Sequence, residues 1–180
     1  MGDHVLLVGM MGAGKTTVGR CLAGRLRRPF HDSDEEILRR TGSTVPEIFA
    51  SRGEAAFRAE ERAVLAAALS SGVPSVVAVA GGAVLDPDSR RRIGTAGAVI
   101  WLRARPATLA ARLGSGAGRP LLEHDPAGAL ARLDARRRPV YRFLAGAVVD
   151  VDGVPADLVL DRTWRAARAA LAGARPCGSQ

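Results

Sequence analysis

Lysine is nearly absent from this chain. Lys15 is the only one, so 25 of the 26 basic residues are arginine (26 − 1). Aromatic residues make up only 4% of the sequence, which leaves no platform on which single-stranded nucleic acid would stack. The net charge of +8 and pI ≈ 11.2 would suit a nucleic-acid binder, with Arg90–Arg92 and Arg136–Arg138 as short basic runs. Arginine, alanine and glycine are abundant all along the chain, however, as GC-biased codon usage produces. Charge alone is a weak cue, and nucleic acid is set aside as a partner.

Cysteine is also scarce. Cys21 and Cys177 lie far apart, with no CxxC pair and no metal-ligand spacing, so no disulfide framework is expected and a reducing, cytoplasmic setting is. The first residues carry Asp3 in place of a basic segment, and Gly9 and Gly12 interrupt their apolar stretch. Neither a signal peptide nor a membrane span is expected there. Leu6 stands where a myristoylation signal needs Ser or Thr. A membrane is therefore not an expected partner.

The 180 residues and 47% hydrophobic content suit one core. We expect a single domain over residues 1–172 and a flexible tail over 173–180. Short apolar or β-branched runs at Val5–Val8, Pro29–His31, Val76–Ala80, Val99–Leu102 and Val148–Val151 read as strands. Helical patterns fill most intervals, at Lys15–Leu26, Glu35–Arg40, Val45–Ala50, Glu54–Leu69, Ala107–Leu113, Ala127–Arg137 and Ala156–Leu171. That alternation predicts an α/β fold with a parallel sheet. Gly114–Asp125, rich in glycine yet holding Arg119 and Pro120, reads as a mobile lid between two helices.

The single lysine has a chemical setting. Gly9-x-x-x-x-Gly14-Lys15-Thr16 follows a predicted strand and opens a predicted helix, which is the context a phosphate-binding P-loop requires. Glycines let backbone N–H groups converge on phosphate oxygens, and the helix N-terminus adds partial positive charge. Gly12, Ala13, Gly14, Lys15, Thr16 and Thr17 are accordingly the expected ATP-binding positions. A slim ammonium fits a tight loop where a planar guanidinium is too broad, so lysine is kept here. The Thr16 hydroxyl is a ligand candidate for Mg²⁺.

After the second strand, Phe30-His31-Asp32-Ser33-Asp34-Glu35-Glu36 places two carboxylates on the rim shared with the P-loop, outside the carboxyl ends of the strands. One can order Mg²⁺ waters, and the other can accept a proton from an attacking hydroxyl. Asp34 also precedes Glu35 and Ile37 as a helix cap would, and capping and catalysis are compatible.

From here the chain resembles the shikimate kinase family. The resemblance runs through LLVGMMGAGKTTVGRCLA, FHDSDEEILRRTGSTVPEIFASRGEAAFRAEE, GRPLL and RRRPVYR, covering most of the first 145 residues in order. It implies a nucleoside-monophosphate-kinase-like fold with a five-stranded parallel sheet in order 2-3-1-4-5. The implied reaction is Mg²⁺-dependent transfer of the ATP γ-phosphoryl group to the 3-hydroxyl of shikimate, on the path to chorismate and aromatic amino acids. By the resemblance, Asp32 lies near the Mg²⁺ waters and Asp34 binds and deprotonates the acceptor. Arg58 and Arg137 hold the shikimate carboxylate, Glu61 orients Arg58, and Phe49 and Phe57 wall the ring. Gly81 and Gly82 approach the substrate, although Ala80 stands where the family has a first glycine. Arg119 is the lid arginine and Arg112 the adenine-stacking one; no adenine contact is assigned near Asp152–Pro155. A monomer is expected.

Taken on spacing alone, Glu54, Arg58 and Glu61 form an ordinary solvated ion-pair face, and Arg136 and Arg138 a basic helix end. Other functions compete: a gluconate-type kinase, a non-catalytic nucleotide-binding regulator on the same fold, and an ATP-dependent nucleic-acid binder, while an adenylate-type kinase would need nucleotide-acceptor motifs that are not found. The first should carry a pair of adjacent acidic residues after its Gly-x-Pro-Leu stretch, and no such pair follows Gly118-Arg119-Pro120-Leu121 here. The second should have lost Asp34 or the acceptor arginines, and the third should bind single strands in a salt-sensitive way.

Overall fold

The computed structural model describes residues 3–116, 118–122 and 125–173. Five strands lie parallel in one sheet: β1 (His4–Val8), β2 (Phe30–Asp32), β3 (Val76–Ala78), β4 (Gly97–Arg103) and β5 (Ala147–Asp150). Their order is β2-β3-β1-β4-β5, as expected. β1 is central and buried along its whole length, which is why it reads as a continuous apolar run and not as an alternating one.

The helices are α1 (Lys15–Leu26), α2 (Ser33–Thr41), α3 (Val45–Ser70), α4 (Pro87–Ala96), α5 (Pro106–Leu113), α6 (Pro126–Leu144) and α7 (Ala156–Gly173). Short 3-10 turns occupy Ala83–Leu85 and Pro120–Leu122. α1 packs against α7, and α4 against α3 and α6, so two helical layers flank the sheet. The P-loop, the start of α2, the turn after β3 and the start of α5 all follow the carboxyl ends of strands and share one rim.

Several local readings need correction. β2 runs from Phe30 to Asp32, one residue later than expected, and α2 begins at Ser33. Asp32, not Asp34, is the cap: its side chain accepts a hydrogen bond from the Asp34 N–H at 3.0 Å. β3 stops at Ala78, before Val79 and Ala80. α4 was not expected at all, because only Ser89 and Ile93 of its ten residues are buried and no apolar period results. Its start was nonetheless written locally, with Asp86 capping the Ser89 N–H at 2.8 Å and Pro87 opening the helix.

α6 continues past Arg137 to Leu144 with Pro139 inside it. A proline in a helix interior costs about 3 kcal/mol locally. Burial of Leu130, Arg137 and Tyr141 along the same helix overrides that preference. The break expected between residues 50 and 54 is present as a kink within α3 at Gly53, whose φ of 77° and ψ of 173° are non-helical. Within the expected lid, Pro120–Leu122 forms its 3-10 turn with Leu122 buried. Ala174–Gln180, most of the expected tail and with it Cys177, lie outside the described residues. Among the described residues no helix is long and apolar enough to cross a membrane.

Candidate active site

The nucleotide half of the site is made by backbone. Gly14 caps α1 in the left-handed region, at φ 95° and ψ 16°, a conformation that costs glycine little. The Lys15 ammonium turns back over the loop, donating to the carbonyls of Gly9 at 2.9 Å and Met10 at 3.1 Å. Burial brings its pKa down to about 8, opposed by the nearby carboxylates of Asp34 and Asp32. The Ala13 side chain is buried and its N–H donates to the Met10 carbonyl at 3.2 Å, closing the loop on itself.

Thr16 and Asp32 meet at the loop's mouth, the hydroxyl donating to Oδ2 at 2.7 Å. Asp32 thus uses one oxygen on Thr16 and the other on the α2 N-terminus. The pair offers hard oxygen ligands suited to Mg²⁺. Among the described residues no three His, Cys, Asp or Glu side chains converge as a metal cage. That donor set fits an ion held jointly by protein oxygens and nucleotide phosphates, as Mg²⁺ usually is. Asp34 is differently placed. The residue is exposed to the open cavity, and desolvation by the cavity walls raises its pKa, with Asp32 adding to the rise against the pull of Lys15 and Arg119.

The acceptor half is made by long side chains. Arg58 is held from two sides, donating to Glu61 at 2.5 Å and to Glu54 at 2.8 and 3.1 Å. Its guanidinium lies 5.2 Å from the centre of the Phe57 ring, which packs against Phe49 at 4.9 Å. Glu61 is only 2% exposed. Burial raises its pKa while Arg58 pulls it down.

Arg137 comes to the same place from α6. It is 2% exposed, its Nη1 lies 3.9 Å from the Met10 sulfur, and its Nε has no hydrogen-bond partner. Burial lowers its pKa and the charge of Arg58 lowers it further. Beside it is the Tyr141 hydroxyl, 3.4 Å from the Gly81 carbonyl, with a pKa pushed up to about 12 by burial.

The glycines after β3 serve these arginines. A Cβ on Gly81 would stand 2.7 Å from Arg137 Nη1, and one on Gly82 would overlap Arg58 Nη1. The expectation that these glycines clear a path for substrate is thus refined: they make room for the guanidinium groups that face the cavity. Ala80, the departure from the family's three glycines, keeps a negative φ and is 9% exposed.

A cavity of about 610 Å³ joins the two halves. Gly12, Gly14, Lys15, Thr16, Thr17, Asp32, Asp34, Arg58, Gly81, Gly82, Arg119 and Arg137 all line it. Ala13 and Arg112 do not. Arg112 instead donates to the carbonyls of Gly12 at 3.2 Å and Val151 at 2.9 Å, tying the P-loop to the segment after β5. Asp152 in that segment accepts from the Arg105 N–H at the start of α5, at 3.0 and 3.1 Å. Sequence reasoning overlooked Ser33 and gave no role in the site to Glu54 or Tyr141. Glu54 is hidden among ion pairs of helical spacing, whereas Ser33 is marked by its place between two carboxylates at a strand end, and Tyr141 by its i+4 spacing from Arg137.

The shikimate kinase family model matches residues 11–168 of this chain. The chain belongs to the shikimate kinase family. A shikimate kinase of Thiobacillus denitrificans is 48% identical over 150 residues, covering 82% of this chain and 81% of the relative. One from Burkholderia pseudomallei is 47% identical over 148 residues, covering 82% and 80%. Among solved structures, shikimate kinase from Acinetobacter baumannii in complex with shikimate superposes with a TM-score of 0.87 at 35% identity, covering 98% of this chain and 97% of that one. The family's fold and the sheet order described above agree.

Proposed function

We propose that this chain is a shikimate kinase, transferring the γ-phosphoryl group of ATP to the 3-hydroxyl of shikimate to give 3-phosphoshikimate and ADP. Family membership supports the activity, and the observation that carries the acceptor is the buried guanidinium of Arg137 with its partnerless Nε. A buried cation of this kind calls for an anion. Set beside Arg58 across the Gly81–Gly82 turn, it forms a two-arginine grip suited to one planar carboxylate. Arg58 already has Glu54 and Glu61, so a neutral acceptor would leave the Arg137 charge without an ion-pair partner.

In this reading Lys15 exchanges its two loop carbonyls for the β- and γ-phosphate oxygens. Gly12, Gly14 and Thr17 line the phosphate channel, and Arg119 brings charge to the phosphoryl group in transfer. Thr16 and Asp32 would hold Mg²⁺, which supplies charge neutralisation on the phosphates. Asp34 takes the proton from the 3-hydroxyl as its oxygen bonds to the γ-phosphorus and the bond to ADP breaks. Its raised pKa suits it to that task better than an ordinary aspartate. Asp32, with both oxygens already engaged, does not compete for the role. Arg112 sits at the adenine side, clamping the loop that borders it. We assign residues 1–172 to one catalytic domain acting as a cytoplasmic monomer on small molecules, with no nucleic acid or membrane partner.

The test is ADP release with ATP and Mg²⁺, comparing shikimate, gluconate, a nucleoside monophosphate and no acceptor, each with and without chelator. Stimulation by shikimate alone, lost on chelation, is expected. Stimulation by gluconate in its place, or by no acceptor while ATP still binds, would overturn the reading.

A further inference from the structure

β2 ends one residue before the site needs it to. Its last rung with β3 pairs Asp32 with Ala78, and the chain then turns into α2 at Ser33. The backbone of β3 continues toward the Gly81–Gly82 turn, so its next carbonyl and N–H face no strand. Both are nevertheless satisfied. The Ser33 hydroxyl donates to the Ala78 carbonyl at 3.1 Å and accepts from the Ala80 N–H at 3.2 Å. Ser33 is 5% exposed and both bonds are buried. One side chain thus replaces a missing rung of the ladder, donating and accepting at once as a hydroxyl can.

What the rung joins gives it meaning. On one side, Ser33 stands between Asp32 and Asp34. On the other, Ala80 is the immediate neighbour of Gly81, whose turn packs against Arg137 and Arg58. Resting on the reading of the site given above, we propose that Ser33 is a positioning residue. Its hydroxyl holds the start of α2 against the end of β3, and so fixes the carboxylate of Asp34 relative to the turn that seats the acceptor. Without the hydroxyl, a buried carbonyl and a buried N–H lose their partner. The simplest relief is separation of the two segments, which moves Asp34 away from the bound acceptor. The P-loop is built on β1 and α1, and its hydrogen bond to this segment, from Thr16 to Asp32, is anchored by the Asp32–Ala78 rung, which does not involve the Ser33 hydroxyl.

The experiment is steady-state kinetics of wild type, Ser33→Ala and Ser33→Thr with shikimate and ATP, with thermal unfolding measured alongside. For Ser33→Ala we expect kcat to fall about 10- to 100-fold, the scale that displacement of a reacting group by about 1 Å produces. The KM for shikimate rises and that for ATP stays within about twofold, while Ser33→Thr restores kcat to within about threefold. A Ser33→Ala protein with wild-type kcat and only a lower Tm overturns the proposal, because it makes the hydroxyl merely structural. An equal loss in Ser33→Thr also overturns it, since the hydroxyl is then not the operative group. If Ser33→Ala is not recovered folded, Ser33→Thr decides by the same criterion. A wild-type protein inactive on shikimate overturns the parent reading and this one together, and that failure is visible before any variant is made.

Discussion

The two halves of the cavity are held in place by different physics. In the nucleotide half, position is set by main chain: a left-handed Gly14, a loop closed by Ala13 and Met10, and a helix N-terminus. In the acceptor half, position is set by charged side chains delivered from α3 and α6, with Glu54, Glu61 and Tyr141 restraining Arg58 and Arg137. Backbone geometry depends on local sequence, so it is written in a short motif. A grip assembled from distant helices depends on packing, so no short motif states it.

The largest effect should come from the one lysine. Lys15→Ala removes the only ammonium in the phosphate loop, and kcat should fall about 10³-fold or more with the acceptor half intact. Acceptor binding followed calorimetrically without nucleotide should be little changed; its loss would break the separation of the halves. Next, Asp34→Asn should lower kcat about 10²- to 10⁴-fold, the range of a lost general base, with both KM values changed only a few-fold.

A substitution at Gly82 sharpens the comparison from the other side. Gly82→Ala places a methyl where Arg58 Nη1 lies, so Arg58 must move, and the KM for shikimate should rise by about 10-fold or more while that for ATP holds. Unchanged shikimate kinetics would show that Arg58 is free to shift without cost.

The smallest effect concerns stability and lies outside both halves. His4 on β1 bonds Ser75 at 2.9 Å, and burial, with the charge of Arg28 added, lowers its pKa below 6.5. The unfolded chain therefore binds this proton more readily than the folded one. Its contribution is fully present above pH 6.5 and is lost as pH falls from there toward the lower folded value. Tm should decline over that window, and His4→Gln should flatten the decline.

Much of this was legible in the sequence, unevenly. The sheet order and the rim shared by the P-loop, Asp32 and Asp34 followed from alternating strands and helices together with the family resemblance. α4 escaped because a surface helix with two buried residues carries no period. The true end of α6 escaped because Pro139 is a local stop signal that long-range burial overrides. Glu54 could not be separated from a solvated ion-pair face without the cavity that Arg58 faces. The cap on α2 was assigned to the wrong aspartate because strand and helix meet there without a loop, and one residue of register decides which carboxylate is spent on the backbone.

The most direct test of the central claim is the effect of Arg137→Ala on the two Michaelis constants. The account predicts a rise of about 10²-fold in the KM for shikimate, from the lost bidentate contact to its carboxylate, with the KM for ATP within about twofold of wild type. A parallel rise in both, or a shikimate KM left unchanged, would contradict a carboxylate grip built separately from the phosphate loop.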